Sequence, residues 1–582
     1  MSHQETEIRD RMRVDWDVPV TMDDGVVVRA DVFRPIGDGR YPAILTYGPY
    51  GKGLAFQEGY KTAWEILATE YADAVEGSTN AYQAWETPDP EKWVSDGYIC
   101  VRFDSRGAGR SDGFMDVHSA RETKDLYDCI EWAAAQTWCS GKVGLNGISY
   151  FAANQWRVAA LRPPHLAAIC VWEGFADNYR DATHHGGILC TFRKNWQEMQ
   201  VKTVQHGLGE RGPRSRVTSE LVCGPETLPD AVLVRNRSNM WGELTREKLD
   251  GAYYWSQAGA LDKIDVPLLS SGNWGGHGLH LRGNIEGFVN TGSRQKWLEV
   301  HGGAHWAEFY TDYGLDLQKR FLGHFLKGEN TGWQNQPSVQ IQIRRPGLKK
   351  FPLRHEHEWP LARTQWTKFY LDPATRELTQ ELGRHETKIE YAPMGEGVLF
   401  RTPPLTEEIE ITGPSMARLF LSSPTTDADV FLVLRVFDPQ GEEVTFYGAL
   451  DPHTPVGQGW LRASHRKLDP ERSRPYRPYH PHDELWPLQP NVPVELDIEI
   501  WPTCIVIPVG YSLGLHIRGK DYEWAGVAAT LSNMKNPMKG CGPFVHDDPE
   551  DRAPEIFAAT NSLYFSPQQQ PYVLLPVIPA SE

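Results

Sequence analysis

Between Tyr41 and Gly303, short apolar runs closed by glycine or a turn alternate with segments of helical spacing. The runs are YPAILTYG (41–48), GYICVRF (97–103), KVGL (142–145), LAAICVW (166–172), VPLLSSGNW (266–274) and QKWLEVHGG (295–303). They do not alternate polar with apolar, so each expects cover on both faces, which is the mark of strands in a mostly parallel sheet. Between two of them, TKDLYDCIEWAAAQ places Leu126, Cys129, Ile130 and Ala133 on one side of a helix. Only VVVRADVFRP (26–35) alternates as a half-exposed strand does.

Two insertions break the rhythm. Leu54–Trp93 has partly helical spacing and carries Trp64, Tyr71, Tyr82 and Trp85. Phe175–Leu261 lies between two sheet strands and is too long for an ordinary connection. Its Trp196, Trp241, Tyr253, Tyr254 and Trp255 need a surface to pack on, which predicts a cap over the sheet's carboxyl edge. Near RRPGLKKFPLRHEHEWP (344–360) the character changes. Beyond it come short strands such as VFLVLRVFD and PVELDIEIWP, separated by Pro, Gly, Asp and Asn turns, the pattern of a β-sandwich or jelly roll.

The net charge of −17 opposes a nucleic-acid partner. No apolar run approaches the roughly 20 residues of a membrane helix. The N-terminal MSHQETEIRDRMR lacks the apolar stretch of a signal peptide. None of the eight cysteines forms a CxxC pair, so buried free thiols in a reducing cytoplasm are expected.

The stretch GKVGLNGISYFAANQW (141–156) reads as a strand, a pinch and a helix, with Ser149 at the pinch. A tight strand-to-helix turn exposes a serine hydroxyl above the sheet, where a nucleophile is needed. The pattern is incomplete: Gly147 precedes the serine by two, but Phe151 fills the second glycine position of G-x-S-x-G. Ser149 is therefore a candidate nucleophile, or else a plain helix start. Downstream, LEVHGGAHWAEFY puts His305 in the loop after a strand, where the base of a serine triad belongs, and His301 at the strand's end.

RFDSRGAGRSDG, GISYFA, GGAHW and the tail phrases GWLRASHRKLDP, VELDIEIWPT and LLPVIP together resemble the CocE/NonD hydrolases, the group of cocaine esterase, α-amino-acid ester hydrolases and relatives of X-Pro dipeptidyl peptidases. The resemblance runs from about Val18 to Pro579. It implies an α/β-hydrolase domain with an inserted helical cap and a C-terminal all-β jelly roll. The expected division is 1–174 and 262–345 for the hydrolase domain, 175–261 for the cap and 346–582 for the jelly roll. It also implies Ser149 as nucleophile and His305 as base, with the oxyanion held by the Tyr150 N–H and the Tyr50 hydroxyl in YGPYGKG.

The acid does not carry over. The family's aspartate falls on Gly275 or Gly276 in SGNWGGHGLHLRG, and no Asp or Glu occurs between Asp265 and Glu286. Glu173, at the end of the strand after the serine, could reach the base from a neighbouring strand; its bland alternative is a salt bridge with Arg180. Asn273, Glu308 and Asp177 are the other candidates, and a site without an acid is the remaining one.

RFDSRGAGRSDG lacks the Gly-Lys-Ser/Thr of a phosphate loop and reads as a structural turn. Histidines 277, 280, 301 and 305 match no metal motif, so neither metal nor cofactor is expected. The leading reading is a serine hydrolase of a small-molecule ester or amide. Its alternatives are an X-Pro dipeptidyl-peptidase-type aminopeptidase and a non-catalytic binding protein on a hydrolase scaffold. Oligomeric state, a homo-oligomer included, is left open.

Overall fold

A computed structural model describes residues 6–579. The first five residues, which open the charged N-terminal segment, and the last three lie outside it. Two large sheets dominate. The first has eleven strands in the order Thr6–Arg9, Met12–Thr21, Val27–Pro35, Ile99–Asp104, Tyr41–Gly48, Cys139–Ile148, Leu166–Trp172, Leu268–Asn273, Lys296–His301, Val339–Gln342 and Leu353–Glu356. From Ile99–Asp104 to Val339–Gln342 the neighbours are parallel, and the pairs flanking this block are antiparallel. The parallel strands are buried nearly throughout, as their continuous apolar runs require.

Strand order reverses beside Tyr41–Gly48. The chain crosses to Ile99–Asp104 on one side and then to Cys139–Ile148 on the other. Sheets of this kind open a crevice at such a reversal, at the carboxyl ends of the strands. Here the loop after Gly48 and the turn after Ile148 flank it.

The second sheet contains twelve strands between Gln365 and Ile578, and all its pairings are antiparallel. It is the jelly-roll-type half that the tail's pattern predicts. The first sheet runs on through Leu353–Glu356, past the boundary expected at 345. Arg344 ties the halves together: buried, it donates to Cys504 O (2.9 Å) and Thr503 Oγ1 (2.7 Å).

The insertion 175–261 is built of short helices, among them Phe192–Trp196, Asp230–Arg235 and Met240–Arg246, with one small hairpin at His184–Leu189. Phe175, Phe192 and Trp196 join a core that also holds Tyr50, Tyr150 and, from the second half, Leu450 and Phe544. All eight cysteines are free and buried. No helix among the described residues is long and apolar enough to cross a membrane.

Candidate active site

Ser149 sits between the strand Cys139–Ile148 and the helix Tyr150–Ala160 with φ 57° and ψ −109°, a backbone that few non-glycine residues adopt. Its neighbours must be small. A Cβ on Gly147 would lie 2.6 Å from Phe151 Cβ. The missing second glycine is answered from the next strand: a Cβ on Gly174 would lie 2.6 Å from Ala152 Cβ, so Gly174 lets the helix come close. The serine N–H is tied to the carbonyls of Trp172 and Glu173, both at 3.1 Å.

Glu173 follows the adjacent strand and is itself at φ 49°. Its carboxylate is fully buried and surrounded by donors. Oε2 lies 2.7 Å from His305 Nδ1, and Oε1 lies 3.0 Å from His301 Nε2 and 3.3 Å from Asn273 Nδ2. Burial alone would raise its pKa, but the charges of His305 and His301 overcome this and draw it down to about 2. In turn both histidines, which burial would keep neutral, rise to about 10. His301 is pinned further by Glu299 at 2.8 Å.

The other acid candidates point elsewhere. Asn273 supports Glu173 and donates to Gly303 O at 2.8 Å. Glu308 accepts from Gln342 Nε2 at 2.8 Å, and Asp177 pairs with Arg180 at 2.8 Å. Arg180 also takes Asp250 and makes no pair with Glu173. At Gly275, where the family's aspartate falls, a Cβ would lie 2.1 Å from Gly448 Cα. The loop around Gly448, from the second half, fills that space. It also contacts the site directly, because the His305 N–H donates to Ala449 O at 2.7 Å.

Ser149 Oγ is met at 3.0 Å by His280 Nε2 rather than by His305. His305 Nε2 instead meets Glu86 Oε1 at 2.9 Å. Neither Glu86 nor His280 carries a motif or spacing that marks a serine site in the sequence. Glu86 comes from the first insertion, at φ 63°, with its carbonyl accepting from Ile148 N–H at 3.0 Å. The His280 ring lies parallel to Phe175 and His305, at centroid distances of 6.1 and 5.2 Å. Burial and the neighbouring His305 charge hold it neutral.

Tyr50 is buried across the crevice. Its hydroxyl accepts from Trp196 Nε1 at 3.0 Å and keeps its own proton to donate. Burial pushes its pKa well above the usual value, so it stays a phenol. The Tyr150 N–H opens a helix and has no intrahelical acceptor. Ser149, His280, His305, Glu86 and Tyr50 share one cavity, walled by Trp85, Phe175, Phe192, Trp196 and Phe544.

Among the described residues, the grouping of metal-ligand atoms lies away from these histidines. His277 stacks on Trp501 away from them. Elsewhere, His185, Cys190 and His546 bring ligand atoms within 4.8 Å of one another. There His185 Nδ1 and His546 Nε2 lie 2.8 Å apart, and their outer nitrogens face Asp181 O and Asp521 Oδ1, so hydrogen bonds account for the group. RFDSRGAGRSDG is a structural turn, with Arg106 bonded to Asp125 at 2.8 Å.

Comparison with known proteins agrees with this architecture. Residues 24–307 match the X-Pro dipeptidyl-peptidase (S15 family) model, and 331–574 match the X-Pro dipeptidyl-peptidase C-terminal non-catalytic domain. The chain belongs to the CocE/NonD hydrolases. A CocE/NonD family hydrolase from Staphylococcus aureus superposes with a TM-score of 0.83 at 28% identity, covering 97% of this chain and 94% of that one. Cocaine esterase from Rhodococcus sp. (strain MB1 Bresler) is 25% identical over 508 residues, 73% of this chain and 81% of that protein. An α-amino acid ester hydrolase shares the fold at TM-score 0.67 and 16% identity, covering 99% of each chain. This CocE/NonD protein is thus an enzyme of the serine esterase and acyl hydrolase kind.

Proposed function

We propose that this CocE/NonD hydrolase cleaves a carboxylic ester, or an activated amide, through an acyl-enzyme on Ser149. The serine oxygen attacks the acyl carbon, and its proton is drawn to the His305–Glu173 couple. The tetrahedral oxyanion is held by the Tyr50 hydroxyl and the Tyr150 N–H. Water then takes the place of the leaving group and releases the acid. The observation that carries this reading is the meeting in one cavity of a strained Ser149 with His305, whose Nδ1 lies 2.7 Å from a fully buried Glu173. A carboxylate in that position fixes the imidazole's tautomer and stabilises its cation.

Glu173 also answers the strongest argument for a non-catalytic scaffold, the missing aspartate. The aromatic wall favours an apolar or aromatic acyl group. An ester is preferred to an X-Pro peptide because Glu173 is spent on two histidines and is not available to a substrate's amino terminus.

The test is labelling with a fluorophosphonate, followed by hydrolysis of p-nitrophenyl esters of graded acyl size. Ser149→Ala should abolish labelling and lower kcat on the order of 10⁶-fold. A folded Ser149→Ala protein keeping more than about a tenth of the wild-type rate, a difference of roughly 1.4 kcal/mol or less, would remove Ser149 from the chemistry. X-Pro p-nitroanilides with free and blocked amino groups give the peptidase reading its chance; rapid turnover of the free form alone would favour it.

A further inference from the structure

We infer that Glu86 is the group that takes the proton from Ser149, with the His305 cation and Glu173 standing behind it. The inference rests on Ser149 as nucleophile, and it starts from a conflict of geometry. Both ring nitrogens of His305 are occupied by carboxylates, Nδ1 by Glu173 at 2.7 Å and Nε2 by Glu86 at 2.9 Å. No nitrogen of that ring is free to face the serine.

Two groups of the shared cavity bear on Ser149. One is His280, whose Nε2 lies 3.0 Å from Oγ. It is a poor base. Its Nδ1 is buried without a partner, so no carboxylate stands behind it to stabilise a cation, and its ring lies against that of His305. A buried N–H without an acceptor is rarer than a bare lone pair. The proton of His280 therefore belongs on Nε2, where it donates to Oγ. With its lone pair engaged by His280, the serine hydroxyl directs its own hydrogen elsewhere.

The other group is Glu86. It is 2% exposed, lines the same cavity, and has a second oxygen, Oε2, that is buried with no partner. The Ser149 hydroxyl is among the groups that favour its ionised form. The groups acting on the Glu86 carboxylate are His305, Glu173 and Ser149, and burial sets the balance by raising its pKa. A carboxylate poised above its ordinary range is suited to general-base work near neutral pH.

The step balances as follows. The Oγ–H bond breaks as the Oγ–C bond to the acyl carbon forms, and the carbonyl electron pair moves onto the oxyanion. Glu86 receives the serine proton on Oε2, while the proton between Glu86 Oε1 and His305 Nε2 stays on the imidazole, whose charge Glu173 balances. Glu86 then protonates the leaving alcohol or amine and is ready for the attacking water. His280 Nε2–H serves Oγ throughout.

The experiment follows pre-steady-state acylation by p-nitrophenyl butyrate and fluorophosphonate labelling in wild type, Glu86→Gln and Glu86→Ala. Glu86→Gln should acylate about 10²–10⁴-fold more slowly, the usual worth of general-base catalysis, and should lose the acid limb of the wild-type pH–rate profile. That limb should lie above the ordinary carboxylate range. Glu86→Ala should be partly rescued by formate, which a purely structural defect would not be, and this arm decides the matter if the glutamine variant fails to fold. Glu86→Gln that acylates within about threefold of wild type, or faster because His305 has been freed, overturns the inference, as does a Glu86→Ala enzyme that formate leaves unchanged. The nucleophile is tested apart: labelling that survives Ser149→Ala defeats that assignment, whereas labelling lost there but intact in Glu86→Gln defeats only Glu86.

Discussion

Glu173→Gln is the substitution that asks most of the site. The carboxylate accepts from His305 through one oxygen and from His301 and Asn273 through the other. A carboxamide has one acceptor oxygen, so whichever way it turns, its NH₂ confronts an imidazole N–H. The imidazole must change tautomer or stay uncharged, and its cation loses its counter-charge. The fall of Glu173 from an ordinary 4.5 to about 2 is worth roughly 3 kcal/mol at 1.36 kcal/mol per pH unit. The rise of His305 to about 10 records the same attraction from the other side and is not added, and that of His301 is owed first to Glu299. We expect kcat for p-nitrophenyl ester hydrolysis to fall on the order of 10⁴-fold, as in a comparable Asp→Asn change, and urea unfolding to show a loss of a few kcal/mol near pH 6. The pH dependence has a definite sign. Glu173 contributes stability above its unfolded value near 4.5, and this is lost as pH falls toward about 2. The histidines contribute fully below 6.5, and that is lost as pH rises through about 10. The difference between wild type and Glu173→Gln should therefore be largest between about pH 4.5 and 6.5 and shrink on both sides. A folded Glu173→Gln enzyme with kcat within tenfold of wild type would refute the assignment of Glu173 as the acid.

Tyr50→Phe removes one oxyanion donor, so kcat should fall about 10²–10³-fold with KM little changed; an unaltered kcat with chemistry shown to be rate-limiting would take Tyr50 out of the mechanism. Gly275→Asp restores the family's acid on paper, but its Cβ would lie 2.1 Å from Gly448 Cα. It should lower thermal stability clearly and give no rescue of Glu173→Gln, and recovery of activity in that double variant would show that the second half can move aside.

The alternation of apolar runs made the parallel sheet legible, because strands covered on both faces must be apolar almost throughout. Ser149 was legible for a related reason: a strand, a pinch and a helix adjacent in sequence are adjacent in space. The ends of sheet strands are likewise fixed by short-range pattern, which is why Glu173 could be named. Glu86 and His280 carry no such local mark. Glu86 stands in QAWETPDP, inside an insertion whose path over the strand end is set by packing of Trp85 against Tyr60 (centroids 4.0 Å apart) and by the Ile148 N–H bond to its carbonyl. His280 lies in the loop where the resemblance places the acid, and its aim at Ser149 depends on stacking with Phe175 from the cap and His305 from another loop. Long-range contacts of this kind leave no period or spacing to read.

The lack of a side chain at Gly275 and the contact of the Glu173 carboxylate with His305 have one physical cause. The second half sends the turn around Gly448–Leu450 onto the carboxyl edge of the first sheet, where Ala449 N–H donates to Gly275 O at 3.2 Å and Ala449 O accepts from His305 N–H at 2.7 Å. That contact fixes the histidine loop, but it removes the volume that a side chain at position 275 would need. The strand Leu166–Trp172 is the next in the sheet, and its register sets Trp172 beside Ser271. A residue one step beyond Trp172 thus emerges beneath the same imidazole from the opposite flank. Glu173 reaches Nδ1 from there because glutamate is one methylene longer than aspartate and its backbone turns through φ 49°. Asn273, on the strand where the acid would otherwise lie, is left to hold Glu173 in place. The second half therefore contributes to the site as more than a wall, since its turn dictates from which strand the charge behind His305 must come.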